Sequence, residues 1–180
     1  MIYQQKNVGI LAIQGSFAEH GEILHKLHVP FVFVRSNEEL KNITHLIIPG
    51  GESTTMMKLL NQYYMWQMLV EKVQNKSISI FGTCAGAILC QKLGMDIEVD
   101  RNSYGAQQHS FSIELESGLF PNLRGIFIRA PRFTSVGTNV KVLATHSNEP
   151  VLLQQDNFLA SSFHPELCDE MRVHEYFLSN

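Results

Sequence analysis

The chain is 180 residues long, 44% apolar and 17% charged, with a formal net charge of −3. That composition suits a globular chain with a sizeable core and excludes a disordered one. Lys and Arg form no cluster, so nucleic acid is not an expected partner; no apolar run reaches the roughly 20 residues of a membrane helix, so a membrane is not expected either.

In chain order, Met1 to Asn7 lacks the apolar stretch and cleavage site of a secretory signal. Val8–Ile13 reads as a buried strand, because its apolar residues are nearly continuous. Ser16–Leu27 has helical spacing through Phe17, Ile23, Leu24 and Leu27. Val29–Val34 is a second strand, Glu38–Lys41 a short helical turn, and His45–Ile48 a third strand stopped by Pro49-Gly50-Gly51. Helices follow from near Ser53 and over Met65–Val73. Ser77–Phe81 is a fourth strand, and Ile88–Leu93 is helical. Such alternation implies parallel strands, right-handed crossovers and helices on both faces.

After residue 95 the character changes. Ser110–Leu115, Ile126–Arg129, Val140–Thr145, Val151–Gln155 and Phe158–Phe163 are strand-like with short turns, and Glu170–Leu178 is a last helix. The expectation is an antiparallel extension of the same sheet, within one α/β domain over residues 1–180. The three cysteines, Cys84, Cys90 and Cys168, are an odd and scattered set. They fit a reducing cytoplasm better than a disulfide framework. No Cys-x-x-Cys or His-x-x-x-His spacing suggests zinc, so no metal and no cofactor is expected.

Three loops stand where ligands bind in an open α/β sheet, beyond the carboxyl ends of strands. Gly82-Thr83-Cys84-Ala85-Gly86 is a thiol version of the nucleophile elbow. Small flanking residues permit the tight turn, and the following helix N-terminus favours thiolate. Alone, such a run also arises by chance around a buried cysteine. Cys90 and Cys168 lack that setting and read as structural.

Phe163-His164-Pro165-Glu166 is the second loop. Pro165 biases His164 toward extended backbone, where positions i and i+2 share a side. A carboxylate beside an imidazole would fix its tautomer and stabilise the imidazolium. The third is Pro49-Gly50-Gly51-Glu52-Ser53-Thr54-Thr55, whose glycines let backbone N–H groups approach a ligand. Ser53 or Thr54 could cap the next helix. The N–H groups of Gly51 and Ala85 are the expected oxyanion-hole donors. A phosphate loop is the rival, but the lysine-bearing pattern it needs is missing.

In this order the three loops resemble the class I (triad) glutamine amidotransferases, whose open, mostly parallel mixed sheet is flavodoxin-like. Further blocks resemble one subfamily, the glutaminase subunits of pyridoxal 5′-phosphate synthase. They are Gly9-Ile10-Leu11-Ala12-Ile13-Gln14-Gly15, Glu52-Ser53-Thr54-Thr55-Met56, Arg101-Asn102-Ser103-Tyr104-Gly105, Phe127-Ile128-Arg129-Ala130-Pro131 and Ser162-Phe163-His164-Pro165-Glu166-Leu167.

The resemblance implies a catalytic triad of Cys84, His164 and Glu166. It implies glutamine contacts at Gly51, Glu52, Ser53, Arg101, Ile128 and Arg129, with Arg101 suited to the α-carboxylate. Gln14 falls where the family's glutamine arranges the oxyanion site as the partner docks. The implied substrate is L-glutamine, and the implied partner is a (β/α)8-barrel synthase that makes pyridoxal 5′-phosphate from ribose 5-phosphate and glyceraldehyde 3-phosphate.

Two departures stand out. The stretch from Leu93 to Arg101 is shorter than usual, and Gln107-Gln108-His109 replaces a more often acidic neighbourhood. Other readings are a glutaminase for another synthase, such as that of histidine biosynthesis, a cysteine peptidase or chaperone on a related fold, and an inactive regulatory subunit.

Overall fold

Val8–Leu11, His45–Ile48 and Ser79–Thr83 are almost wholly buried, the signature of central parallel strands covered on both faces. Their side chains alternate between two layers. Leu11, Leu46, Ile48 and Ile80 pack into one apolar cluster, while Ile10, Ile47 and Phe81 pack into the other.

The computed structural model describes residues 6–101, 111–168 and 170–180. Along the chain run β1 (Val8–Leu11), α1 (Phe17–Lys26), β2 (Phe31–Val34), α2 (Asn37–Lys41), β3 (His45–Ile48), α3 (Ser53–Gln62), α4 (Met65–Gln74), β4 (Ser79–Thr83) and α5 (Ala85–Lys92). Then come β5 (Ile97–Asp100), β6 (Phe111–Leu115), β7 (Leu123–Phe127), β8 (Arg132–Val136), β9 (Lys141–His146), β10 (Glu149–Gln155), β11 (Phe158–Ser161), a 3-10 turn (Pro165–Leu167) and α6 (Arg172–Ser179). Among the described residues no helix is long and apolar enough to cross a membrane.

A seven-stranded sheet has the order β2-β1-β3-β4-β11-β10-β9. The first five strands are mutually parallel, and β10 and β9 add antiparallel. Met56 and Leu60 of α3, Met65 and Leu69 of α4 and Leu89 of α5 cover one face. Leu24 of α1, Val173 and Phe177 of α6, and Leu123 and Phe127 of β7 cover the other. The α/β architecture is thus an open, mostly parallel sheet with helices on both sides.

The expected antiparallel extension is built differently. β11 is parallel to β4, with Ser161 beside Thr83. The pairs β5–β8 and β6–β7 form two separate antiparallel ribbons. The expected strand at Ile126–Arg129 lies earlier, at Leu123–Phe127, because Arg129 has φ 47, a left-handed value that strands do not use. β5 and β8 were not anticipated. Residues 102–110, with most of the Arg-Asn-Ser-Tyr-Gly block and the Gln-Gln-His departure, lie outside the described residues.

Candidate active site

Cys84 sits between the end of β4 and the first residue of α5, with φ 50 and ψ −110. Such a conformation costs a non-glycine residue about 1–3 kcal/mol and persists only where the surroundings enforce it. Here they do. The Cys84 N–H donates to the Ser161 carbonyl of β11 at 2.7 Å, and Gly86 presses so closely on β3 that a Cβ there would collide with the Ile48 carbonyl. The elbow turns tightly because glycine lets its backbone lie against the sheet.

His164 stands just past the end of β11, in extended backbone at φ −106 and ψ 91, as expected for a residue before proline. Its N–H donates to the Ile126 carbonyl at 2.8 Å, so β7 holds it from the other side. The following residues are not extended; Pro165–Leu167 form a 3-10 turn. That turn carries Glu166 back beneath the ring, and His164 Nδ1 meets Glu166 Oε1 at 2.7 Å. A carboxylate can only accept here, so the imidazole proton lies on Nδ1.

Both groups are buried, and their neighbours decide their charge. Burial alone disfavours the imidazolium, but hydrogen bonds to Cys84 and Glu166 outweigh it and raise His164 above its ordinary value. Burial likewise disfavours the Glu166 carboxylate, and the neighbouring His20 ring with the charge and hydrogen bond of His164 hold it below the usual range. The arrangement can keep a histidine charged beside a thiol, as nucleophilic attack followed by leaving-group protonation requires.

The glycine loop lies directly over this pair. A Cβ on Gly50 would collide with the His164 ring and stand 3.2 Å from Cys84 Cβ. Gly50 accepts from the Ser16 N–H at 3.0 Å. Gln14, beyond the end of β1, accepts from the Glu52 N–H at 2.8 Å through Oε1. Ala85 opens α5, so its N–H is one of the orphan donors of a helix start. Cys84 Sγ lies 3.8 Å from the Ile128 carbonyl oxygen.

Glu52, rather than Ser53 or Thr54, caps α3. Its carboxylate accepts from Thr54 N at 3.0 Å and Thr55 N at 2.6 Å. The Thr55 hydroxyl and these N–H groups bring it down to about 2. Ser53 is buried at the helix start. Arg101 is exposed and donates to the Thr54 hydroxyl at 3.2 Å, which sets its guanidinium beside the same loop. Arg129 is also exposed, next to Ile128.

Three residues near this site escaped the sequence reading. The Ser16 hydroxyl donates to Glu166 Oε1 at 2.8 Å instead of capping α1. His20 and His174 are fully buried behind the carboxylate. A signal existed for His20, which occupies the apolar stripe of α1 between Phe17 and Leu24, where a histidine needs an explanation. Cys90 is buried inside α5, and burial pushes its thiol up to about 12. Among the described residues no cluster of His, Cys, Asp and Glu could hold a metal ion.

The chain is similar in sequence and fold to known proteins. A model of the SNO glutamine amidotransferase family matches residues 10–180. The chain is 48% identical over 184 residues to the pyridoxal 5′-phosphate synthase subunit PdxT of Desulforamulus reducens, covering 95% of this chain and 97% of that one. It is 45% identical over 183 residues to the PdxT of Thermotoga maritima, with 95% and 97% covered. A crystal structure described as a glutamine amidotransferase superposes with a TM-score of 0.90 at 44% identity, covering 95% and 96% of the two chains. The structure of PurLQS from Thermotoga maritima shares the fold at a TM-score of 0.70 and 13% identity, with 97% and 98% covered.

Proposed function

Because the chain belongs to the SNO glutamine amidotransferase family, we propose that it hydrolyses L-glutamine to L-glutamate and ammonia as the glutaminase subunit of pyridoxal 5′-phosphate synthase. The observation that carries the chemistry is the line of contacts from Cys84 through His164 to Glu166, beneath a loop of two glycines.

In this reading the Cys84 thiolate attacks the carboxamide carbon, and the N–H groups of Gly51 and Ala85 receive the oxyanion. The C–N bond breaks as His164 gives its proton to the departing ammonia, leaving a glutamyl thioester. Water then loses a proton to His164 and attacks the thioester, releasing glutamate and restoring the thiolate. Glu166 keeps the imidazole in one tautomer throughout.

Substrate contacts are proposed at Gly51, Glu52, Ser53, Arg101, Ile128 and Arg129. The Glu52 carboxylate is committed to the cap of α3 and its N–H to Gln14, so its proposed contribution is to hold the loop against the substrate. Arg101 supplies a cation for the α-carboxylate. Gln14, already bonded to the Glu52 N–H, would transmit partner docking to the loop that holds the Gly51 donor. Ammonia becomes ammonium in water, so the recipient has to take it through an enclosed path. The proposed recipient is a (β/α)8-barrel synthase, and the proposed compartment is the cytoplasm, where three thiols stay reduced.

The test is ammonia release from glutamine by the chain mixed with its synthase. Cys84→Ala and His164→Asn should each leave less than roughly a percent of the activity. Greater retention would sink the assignment. Failure of the chain to bind the barrel synthase would overturn the partner but leave the chemistry standing.

A further inference from the structure

Beside Glu166 lies a second polar chain closed off from solvent. His20 of α1 and His174 of α6 are both 0% exposed. His20 Nδ1 and His174 Nε2 are 2.8 Å apart. On its other edge, His20 Nε2 is 3.2 Å from Thr83 Oγ1 and 3.5 Å from Glu166 Oε1. Thr83 is the residue immediately before the nucleophile. One imidazole therefore reaches both the carboxylate and the elbow.

Two buried histidines are an expensive way to fill a core, since each polar nitrogen must find a partner. Phe81 packs edge-on against both rings, at centroid distances of 6.2 Å and 5.4 Å, so apolar side chains already fit this layer. Ser16 adds to the pattern. As the residue preceding α1 it could cap that helix, yet its hydroxyl goes to Glu166 Oε1. The residue before α1 and one within it thus turn toward one oxygen.

We infer that His20 is a positioning residue of the glutaminase reaction, its Nε2–H shared between Glu166 Oε1 and Thr83 Oγ1 and its ring oriented by His174. Ser16 and His20 together hold the carboxylate where it meets His164. The inference rests on the triad reading above and extends it by one layer.

The tautomer follows from the contacts. A proton on Nε2 of His20 faces an anion and a hydroxyl, and leaves Nδ1 to accept from His174 Nε2–H. The opposite assignment would turn a lone pair of His20 toward a carboxylate 3.5 Å away. Burial favours the neutral form of both rings, so His20 offers a hydrogen bond without adding a second cation beside Glu166.

Kinetics of the synthase complex separate positioning from packing. The amide nitrogen of Gln occupies the place of histidine Nε2, and that of Asn the place of Nδ1. His20→Phe should lower kcat for glutamine hydrolysis by roughly tenfold or more, with KM changed by less than about twofold. His20→Gln should recover most of that loss, and His20→Asn should not. A His20→Phe enzyme with full kcat, a loss confined to KM, or equal rescue by Asn and Gln would each overturn the inference. If His20→Phe does not fold, the Gln and Asn variants still decide between the two edges of the ring.

Nitrogen chemical shifts of isotope-labelled histidine in the wild-type complex give a reading independent of any variant. They should report a neutral His20 with its proton on Nε2; a proton on Nδ1 alone would overturn the inference. Cys84→Ala runs alongside. If it stays active, the triad reading falls and takes this one with it. An inactive Cys84→Ala beside a fully active His20→Phe overturns this inference alone.

Discussion

Glu166 has a histidine on either side, and the two are held in opposite charge states. His164 and His20 both approach Oε1, at 2.7 Å and 3.5 Å, and burial works against the charged form of each. His164 gains a hydrogen bond to the carboxylate and another to Cys84, so its neighbours win. His20 comes no nearer the anion than 3.5 Å, shares its Nε2 edge with Thr83 and lies among Phe81 and His174, and burial wins. The thiol partner and the shorter approach, 2.7 Å against 3.5 Å, decide which ring carries the proton.

The strongest way to break this comparison is to remove the charge between the rings. Glu166→Gln keeps the shape but removes the anion that, with Cys84, holds the imidazolium of His164. Ammonia release by the complex should fall by roughly a hundredfold to ten-thousandfold, and an enzyme within a few-fold of wild type would show that the two histidines are not set by this carboxylate.

A smaller effect sharpens the contrast through pH. His174 is pushed down to about 3 and His45 to about 4, chiefly by burial, and His20 is lowered as well. The unfolded chain takes up these protons first, so stability is lost as pH falls below 6.5 toward those values. Glu166, held below its ordinary 4.5, adds to the loss at the acid end, as pH drops through its folded value. His164 works the other way. It keeps a proton that the unfolded chain gives up, so its contribution is lost as pH rises above 6.5. Melting temperature should therefore fall on both sides of neutrality. His174→Leu should flatten the acid side and leave the alkaline side in place; an unchanged acid slope would contradict the neutral assignment of the buried pair.

The smallest expected effect concerns the two cysteines of the elbow and its helix. Cys90→Ala should cost about 1 kcal/mol of stability and leave ammonia release intact. A thiol reagent should modify Cys84 in the native chain and reach Cys90 only on unfolding. Rapid native labelling of Cys90 would mean that α5 opens far more readily than its buried packing implies.

Much of the parallel half of the sheet was legible in the sequence, because continuous apolar runs and glycine stops mark central strands and their loops. His45–Ile48 and Met65 at the start of α4 fall where the periodicity placed them. Direction was not legible. Phe158–Ser161 reads as apolar whichever way it runs, and only its pairing with β4 makes it parallel. β5 and β8 pair with each other at the margin of the fold, and both bury only part of their length, so neither carries a clear period. At the site, the elbow and His-Pro-Glu could be read because their residue types and spacing are local. The ring of His174 behind His20 could not, since a contact across 154 positions leaves no mark on either neighbourhood.

The parallel pairing of β11 with β4 also sets a timetable. The carbonyl of Ser161 holds the strained backbone of Cys84, and the same strand delivers His164. Until Phe158–Ser161 slots between β4 and β10, the elbow has no strut and the thiol has no basic partner. A ribosome-bound chain with only its first helices and strands folded therefore carries an ordinary cysteine, poorly reactive toward electrophiles and oxidants. The strut of the elbow and its basic partner are thus supplied together, by a strand from the last quarter of the chain.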